Sequence, residues 1–131
     1  MGIVVGYLAT PEGRAALEAA IDEGKRRDER VVVVVSMRRD ATDEEQMQVE
    51  TELNAVRAEL VSRNVVYDVL VLDGGDVADD LIRTAEELGA ELIVIGLRRR
   101  SPVGKLILGA NAQRVLFDAP CPVLTVKPPL A

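Results

Sequence analysis

An arginine-rich segment framed by glycines, residues 96–111, carries the side chains and backbone of this chain that are best suited to binding an anion. Gly96 follows the apolar run of residues 92–95, and a glycine there lets the backbone turn closely over the carboxyl end of a strand. Gly109 stands just before a helix-like segment, and a helix that opens on glycine leaves backbone N–H groups and the positive end of the helix dipole uncovered. The spacing predicts an anion-binding loop after a strand.

Positive charge is concentrated in the same segment. Arg98, Arg99 and Arg100 are consecutive, Lys105 follows them, and Asn111 lies at the start of the predicted helix. Guanidinium groups form strong hydrogen bonds to phosphate oxygens, although a run of arginines is more often a solvated surface that balances an acidic chain. Its position between a strand end and a glycine-opened helix favours an anion site.

The residues that usually carry covalent or metal chemistry are sparse. The chain has no histidine and a single cysteine, Cys121, which lies between two prolines and is expected to be a small packing residue. Without a histidine to activate its hydroxyl, Ser101 is expected to shape the loop with Pro102. Asp76 is explained as a helix N-cap and Asp79 as an acidic residue of the first helical turn. We predict no catalytic set and no metal site.

Strand-like and helix-like segments alternate along the whole chain, which is typical of βαβ units and a parallel sheet with helices on both faces. Strands are predicted at residues 3–8, 31–35, 66–72, 91–95 and 123–126, and residues 31–35, apolar at every position, are expected to be central. Helices are predicted after Thr10, from the capping box at Thr42 to about Arg63, from Asp76 to Gly89, and over residues 110–118. The third helix is expected to turn Leu81, Ile82, Ala85 and Leu88 inward, and residues 96–109 are expected to form a loop.

Composition limits the class of protein. A length of 131 residues fits one domain, residues 1–131, and 48% hydrophobic residues suffice for its core. Aromatic residues make up only 2% and the net charge is −6, so the sequence excludes stacking on single-stranded nucleic acid and disfavours binding to a phosphate backbone. The longest aliphatic run is residues 31–35, too short to span a bilayer, and a single cysteine allows no intrachain disulfide. We expect a cytoplasmic protein.

The chain resembles the universal stress protein family. The signature of that family is Gly, two residues, Gly, nine residues, Gly, then Ser or Thr; here the same spacing gives Gly96, Arg99, Gly109 and Ala110. Residues 112–126 look like the usual ending of the family, and residues 75–82 look like its turn into the third helix. The resemblance covers nearly the whole chain.

The resemblance implies a fold, a ligand and a partner. The fold is a three-layer sandwich like that of the adenine nucleotide alpha hydrolases, with strand order 3-2-1-4-5 and a cleft above strands 1 and 4. The ligand is ATP or a related nucleotide, whose ribose and adenine are held at the ends of the first two strands, here Leu8, Thr10 and Val35. The partner is a second copy, joined through the last strand, here Val123, Leu124, Thr125 and Val126.

Three positions depart from the pattern of nucleotide-binding members. Leu8 stands where the family has an aspartate, Arg99 replaces the second glycine, and Ala110 lacks the hydroxyl of the family's Ser or Thr. Each loss removes a polar contact worth about 0.5–3 kcal/mol, so the sequence predicts weak ATP binding, micromolar or worse. Positive charge from Arg98, Arg99, Arg100 and Lys105 offers partial compensation.

Several functions stay open at this point. The first is a non-catalytic binding or regulatory module in stress response that takes a phosphate-bearing small molecule. The second is a slow nucleotide hydrolase in which Arg98–Arg100 stabilise the transferring phosphate. That reaction needs a Mg²⁺ ligand and a water-positioning group, for which the polar candidates are Thr10, Ser36, Asp73 and Asn111. An electron-transfer flavoprotein-like domain shares the topology but has no specific support in the sequence.

Overall fold

The computed structural model describes residues 1–73, 75–100 and 105–129, over which strands and helices alternate. The elements are β1 (Ile3–Gly6), α1 (Pro11–Arg27), β2 (Val31–Ser36), α2 (Asp43–Ser62), β3 (Tyr67–Leu72), α3 (Val77–Leu88), β4 (Leu92–Gly96), β5 (Arg98–Arg100), β6 (Lys105–Ile107), α4 (Ala110–Asp118) and β7 (Val123–Val126). None of the helices in the described ranges is long and apolar enough to cross a lipid bilayer.

Five strands form one parallel sheet in the order β3-β2-β1-β4-β7. This confirms the predicted order 3-2-1-4-5, with β7 as the fifth strand. The central strand is β1, so the expectation that residues 31–35 are central is wrong in detail. β2 is an interior strand between β1 and β3, and interior strands covered on both faces are apolar at every position wherever they lie in the sheet.

The core has two aliphatic layers, one on each face of the sheet. Alternate residues of a strand point to opposite faces, so the odd-numbered valines of β2 pack under α1 and α2 and the even-numbered ones pack under α3 and α4. In α3 the buried apolar positions are Ala78, Leu81 and Ala85. Leu88 is 40% exposed, which corrects the expectation that it faces inward. It is the last residue before the left-handed turn at Gly89, and Ala90 after that turn packs into the layer instead.

The predicted helix starts and stops are confirmed by their capping contacts. The Thr10 hydroxyl accepts a hydrogen bond from a first-turn N–H of α1, and Thr42 and Glu45 form a reciprocal capping box at α2. Asp76 accepts from the Asp79 N–H at 2.9 Å. Local sequence therefore fixes where these helices begin.

The segment predicted as a loop contains a short hairpin. Arg98–Arg100 (β5) and Lys105–Ile107 (β6) pair in antiparallel register, with Arg98 opposite Ile107. The intervening residues 101–104, including Ser101, which was expected to shape the loop, lie outside the described residues.

Candidate functional site

A cleft of about 350 Å³ opens above the carboxyl ends of β1 and β4. These neighbouring strands are where the sheet order reverses, which is the usual ligand position in open α/β sheets. The lining residues come from the ends of β1, β2 and β4 and from α1, α3 and α4: Gly6, Tyr7, Leu8, Glu12, Gly13, Val34, Ser36, Val77, Leu81, Ile95, Gly96, Arg98, Gly109, Ala110, Asn111, Ala112 and Val115.

Two glycines allow the first turn of α1 to pack against the floor of the cleft. A Cβ on Gly96 would lie 2.1 Å from the carbonyl oxygen of Glu12, and a Cβ on Gly13 would lie 1.9 Å from that of Leu8. Neither distance is tolerable for a real side chain. Gly96 does permit a close backbone approach, as predicted, but the approaching backbone is that of α1.

Gly109 is different, because no atom of the residues that the structure describes lies within 4 Å of the position that its Cβ would take. Its backbone, with φ −71° and ψ 172°, is open to any residue. As the N-cap of α4 it supplies no side-chain hydrogen bond, and within the described part of the chain no side chain caps the N–H groups of the first turn. Gly109, Ala110, Asn111 and Ala112 all line the cleft, and the uncapped start of a helix is chemically suited to an anion.

The charges at the cleft are one cation and one carboxylate among the described side chains. Arg98 is exposed and lines the cleft, and among the described residues no carboxylate pairs with it. Glu12 lies in the first turn of α1 and is half-buried. The guanidinium of Arg98 is thus available to a phosphate near the start of α4.

A buried carboxylate stands beside the cleft at the end of β2. Asp80 is 1% exposed; Ser36 donates its hydroxyl to Oδ2 at 2.8 Å, and Arg83 donates to Oδ1 at 3.0 Å. From the sequence, Asp76 and Asp79 are explained by the helix start and Asp80 is assigned no role. A sharper signal was available, because Asp80 falls on the inward stripe of α3 next to Leu81 and four residues before Thr84.

Tyr7 joins the cleft to α2. Its side chain is 5% exposed, and its hydroxyl donates to Oε1 of Glu52. Burial, reinforced by that carboxylate, raises the pKa of Tyr7 to about 12. The phenol therefore stays protonated at neutral pH and holds the chain after β1 against α2.

The structure brings six of the ten predicted ligand residues to the cleft: Leu8, Gly96, Arg98, Gly109, Ala110 and Asn111. Thr10 is engaged as the N-cap of α1. Val35 is packed in the core under α1 and α2, on the opposite face, and its neighbours Val34 and Ser36 line the cleft instead. A shift of one residue along a strand exchanges the two faces. The side chains of Arg99 and Arg100 lie outside what the structure describes, although their backbone forms β5.

The polar candidates for metal-assisted hydrolysis are not gathered together. Ser36 and Asn111 line the cleft, whereas Asp73 is an exposed residue after the outer strand β3. Within the described part of the chain, no three or more Asp, Glu or Cys side chains are arranged to hold a metal ion.

Comparison with known proteins gives a consistent result. The model of the universal stress protein family matches residues 1–127. A protein of Mycolicibacterium smegmatis named universal stress protein is 44% identical over 126 residues, which are 96% of this chain and 97% of the relative. A solved universal stress protein from Archaeoglobus fulgidus is 31% identical with a TM-score of 0.83, over 97% of this chain and 98% of that chain. A second structure from that organism, described in complex with dAMP, is 26% identical with a TM-score of 0.80 and the same coverage.

Proposed function

Since this chain belongs to the universal stress protein family, we propose that it is a non-catalytic module that binds a nucleotide or another phosphate-bearing anion in the cleft above β1 and β4. The observation that carries the proposal is the start of α4. There Gly109 leaves the first-turn N–H groups open to the cleft at a position where packing against the described residues does not require a glycine. The similar structure described with dAMP supports this choice of ligand.

The cleft suits a ligand with an anionic end and an apolar middle. The N–H groups at Ala110–Ala112, the helix dipole and the Arg98 guanidinium offer donors and positive charge to a phosphate. Leu8, 53% exposed, and Ile95 offer apolar surface to a nucleoside. Ser36 at the end of β2 lies two strand spacings from β4, about 10 Å away across the sheet. That span is comparable to the length of a nucleoside monophosphate.

We expect weak affinity. Leu8 has no oxygen for a ribose hydroxyl, and Ala110 has no hydroxyl for a phosphate. With two polar contacts missing, dissociation of AMP or ATP is expected at micromolar concentration or above. A nanomolar dissociation constant by calorimetry would contradict this expectation.

Substitution of Gly109 tests the site directly. In Gly109→Asp the new carboxylate accepts the first-turn N–H groups and repels phosphate, so calorimetry should show at least about tenfold weaker AMP binding. Thermal stability should be unchanged or slightly higher, because aspartate is a better N-cap than glycine. Gly109→Ser supplies a cap without charge and should fall between the wild type and Gly109→Asp. If Gly109→Asp binds AMP with wild-type affinity, the phosphate does not bind at this helix start.

Hydrolysis remains the alternative function. A slow hydrolase would use Arg98–Arg100 to stabilise the transferring phosphate. Chromatography of ATP incubated with the protein and Mg²⁺ distinguishes the two, because the binding module leaves ATP intact and the hydrolase produces ADP.

We further propose that the module is a homodimer through β7. Among the described strands β7 pairs only with β4. The Ile93 and Leu97 N–H groups donate to the carbonyls of Pro122 and Val126, so even-numbered residues of this stretch face β4 and the N–H and C=O of Val123 and Thr125 point to the open edge. An exposed edge of this kind invites pairing with a second copy.

The proposed setting is the cytoplasm, with a role in stress response. Cys121 is free, and burial raises the pKa of its thiol. A chain whose single cysteine forms no internal disulfide suits a reducing compartment. Fractionation of cells expressing a tagged copy tests the location.

A further inference from the structure

We propose that Ser36, oriented by the buried Asp80, selects ligands that present an N–H or O–H donor at the nucleoside end of the cleft. The inference rests on the proposed function, because it concerns the ligand of that same cleft. It assigns a positioning role to Asp80 and a specificity-determining role to Ser36.

The pair is a built feature of the interior. Asp80 is 1% exposed, and both of its carboxylate oxygens are occupied: Oδ2 accepts from the Ser36 hydroxyl at 2.8 Å and Oδ1 accepts from Arg83 at 3.0 Å. A buried carboxylate is costly unless such partners satisfy it. The two contacts therefore fix the direction of the carboxylate, and through it the direction of the serine hydroxyl.

This arrangement gives the hydroxyl a single chemical character. A serine hydroxyl has one hydrogen to donate and two lone pairs to accept. The hydrogen is committed to Asp80, and among the described residues no group donates to Ser36 Oγ. Ser36 lines the cleft, so what it offers to a ligand is an acceptor.

Ser36 supplies an acceptor oxygen that Leu8 does not supply. Leu8 at the end of β1 offers no oxygen to a ligand hydroxyl or amino group. Ser36 lies at the end of β2, the strand next to β1, and presents an oxygen from that side. Two donors of a nucleotide fit the chemistry: the exocyclic amino group of the base and the 2′-hydroxyl of the sugar.

Three nucleotides distinguish between these two donors experimentally, because they differ in which of the donors they carry. AMP carries both, dAMP lacks the 2′-hydroxyl, and purine riboside 5′-monophosphate lacks the exocyclic amino group. We expect wild-type protein to bind AMP about 3- to 10-fold more tightly than the one analogue that lacks the donor recognised by Ser36. The identity of that analogue shows whether the base or the sugar is read.

Substitutions of Ser36 and Asp80 test whether these two residues cause the preference for AMP. Ser36→Ala should abolish the difference between AMP and that analogue, whereas a loss of structure would weaken both ligands equally. Ser62→Ala is the matched control, because Ser62 is an exposed serine at the end of α2, remote from the cleft, and should retain the preference. In Asp80→Asn the amide oxygen goes to Arg83 and the amide nitrogen donates to Ser36, which then turns its own hydrogen into the cleft. This variant should lose the preference as well.

The outcomes separate this inference from the proposed function. Wild-type protein that binds none of the three nucleotides at millimolar concentration overturns both. Wild-type protein that binds all three equally, or whose preference survives in Ser36→Ala, overturns the role of Ser36 and Asp80 while leaving nucleotide binding intact. If Asp80→Asn does not fold, the comparison of Ser36→Ala with Ser62→Ala still shows whether Ser36 causes the preference for AMP.

Discussion

The two glycines that frame the arginine-rich segment meet different physical demands. A Cβ on Gly96 would lie 2.1 Å from the Glu12 carbonyl oxygen, whereas a Cβ on Gly109 would meet no atom of the described residues within 4 Å. Gly96→Ala should therefore lower the free energy of unfolding by about 1–3 kcal/mol, because α1 must move away from β4. Gly109→Ala is the matched control and should change it by no more than about 1 kcal/mol. Chemical denaturation of both variants provides the measurement. Equal losses of unfolding free energy in the two variants would contradict the claim that packing requires a glycine at 96 and not at 109.

At the scale of single residues, the sequence predicts which residues lie near strand and helix ends better than it predicts which way a side chain points. The spacing of glycines placed Gly109, Ala110 and Asn111 at the cleft. Val35 does not line the cleft, because its side chain packs in the core on the other face of the sheet and one residue along a strand reverses the face. Asp80 was missed because an acidic residue in the first turn of a helix already has an explanation in the helix dipole.

At the scale of elements, Tyr7 couples the end of β1 to α2 through Glu52. The pKa of Tyr7 is raised from 10.0 to about 12, mainly by burial. Between pH 10 and 12 the unfolded chain loses this proton while the folded chain keeps it, so the free energy of unfolding falls as pH rises through that range. Tyr7→Phe lacks the ionisation and should lose less stability over the same range. Urea denaturation of both proteins at pH 9, 10 and 11 tests this prediction. If the free energy of unfolding falls equally in both proteins, the ionisation of Tyr7 does not cause the loss.

Capping signals made the helices the most predictable elements. Thr42 with Glu45, Asp76 and Gly89 mark helix ends by local hydrogen bonds that depend only on neighbouring residues. The hairpin of β5 and β6 was missed because its triplets lack the alternating apolar pattern that predicts a half-buried strand. Pairing between the two triplets is what makes them strands.

At the scale of the whole molecule, the open edge of β7 leads to a prediction about assembly. The N–H of Thr125 points away from β4, so Thr125→Pro removes an edge donor without removing a bond of the monomer sheet. Sedimentation at about 100 µM should show a wild-type dimer and a folded monomeric Thr125→Pro variant. Thr125→Ala keeps the N–H and should remain dimeric. A wild-type chain that stays monomeric at that concentration would contradict the proposed dimer.

Strand order was predictable only through the family resemblance, which implied the order 3-2-1-4-5 that the sheet shows. The fully apolar strands indicated a parallel sheet covered by helices on both faces, without its order. Assembly was less accessible, because composition and hydrophobic pattern do not tell whether an edge strand is covered by another copy of the chain.

The central claim is that the start of α4 binds the phosphate of a nucleotide, and amide chemical shifts test it most directly. In ¹H–¹⁵N NMR spectra of the wild-type protein titrated with AMP, the backbone amides of Ala110, Asn111 and Ala112 should shift most, together with residues of the cleft floor near Gly96. Inorganic phosphate should shift the same α4 amides and leave Ser36 unchanged, because it has no nucleoside. Saturation with AMP that leaves the α4 amides in place, or shifts confined to another face of the sheet, would contradict the account.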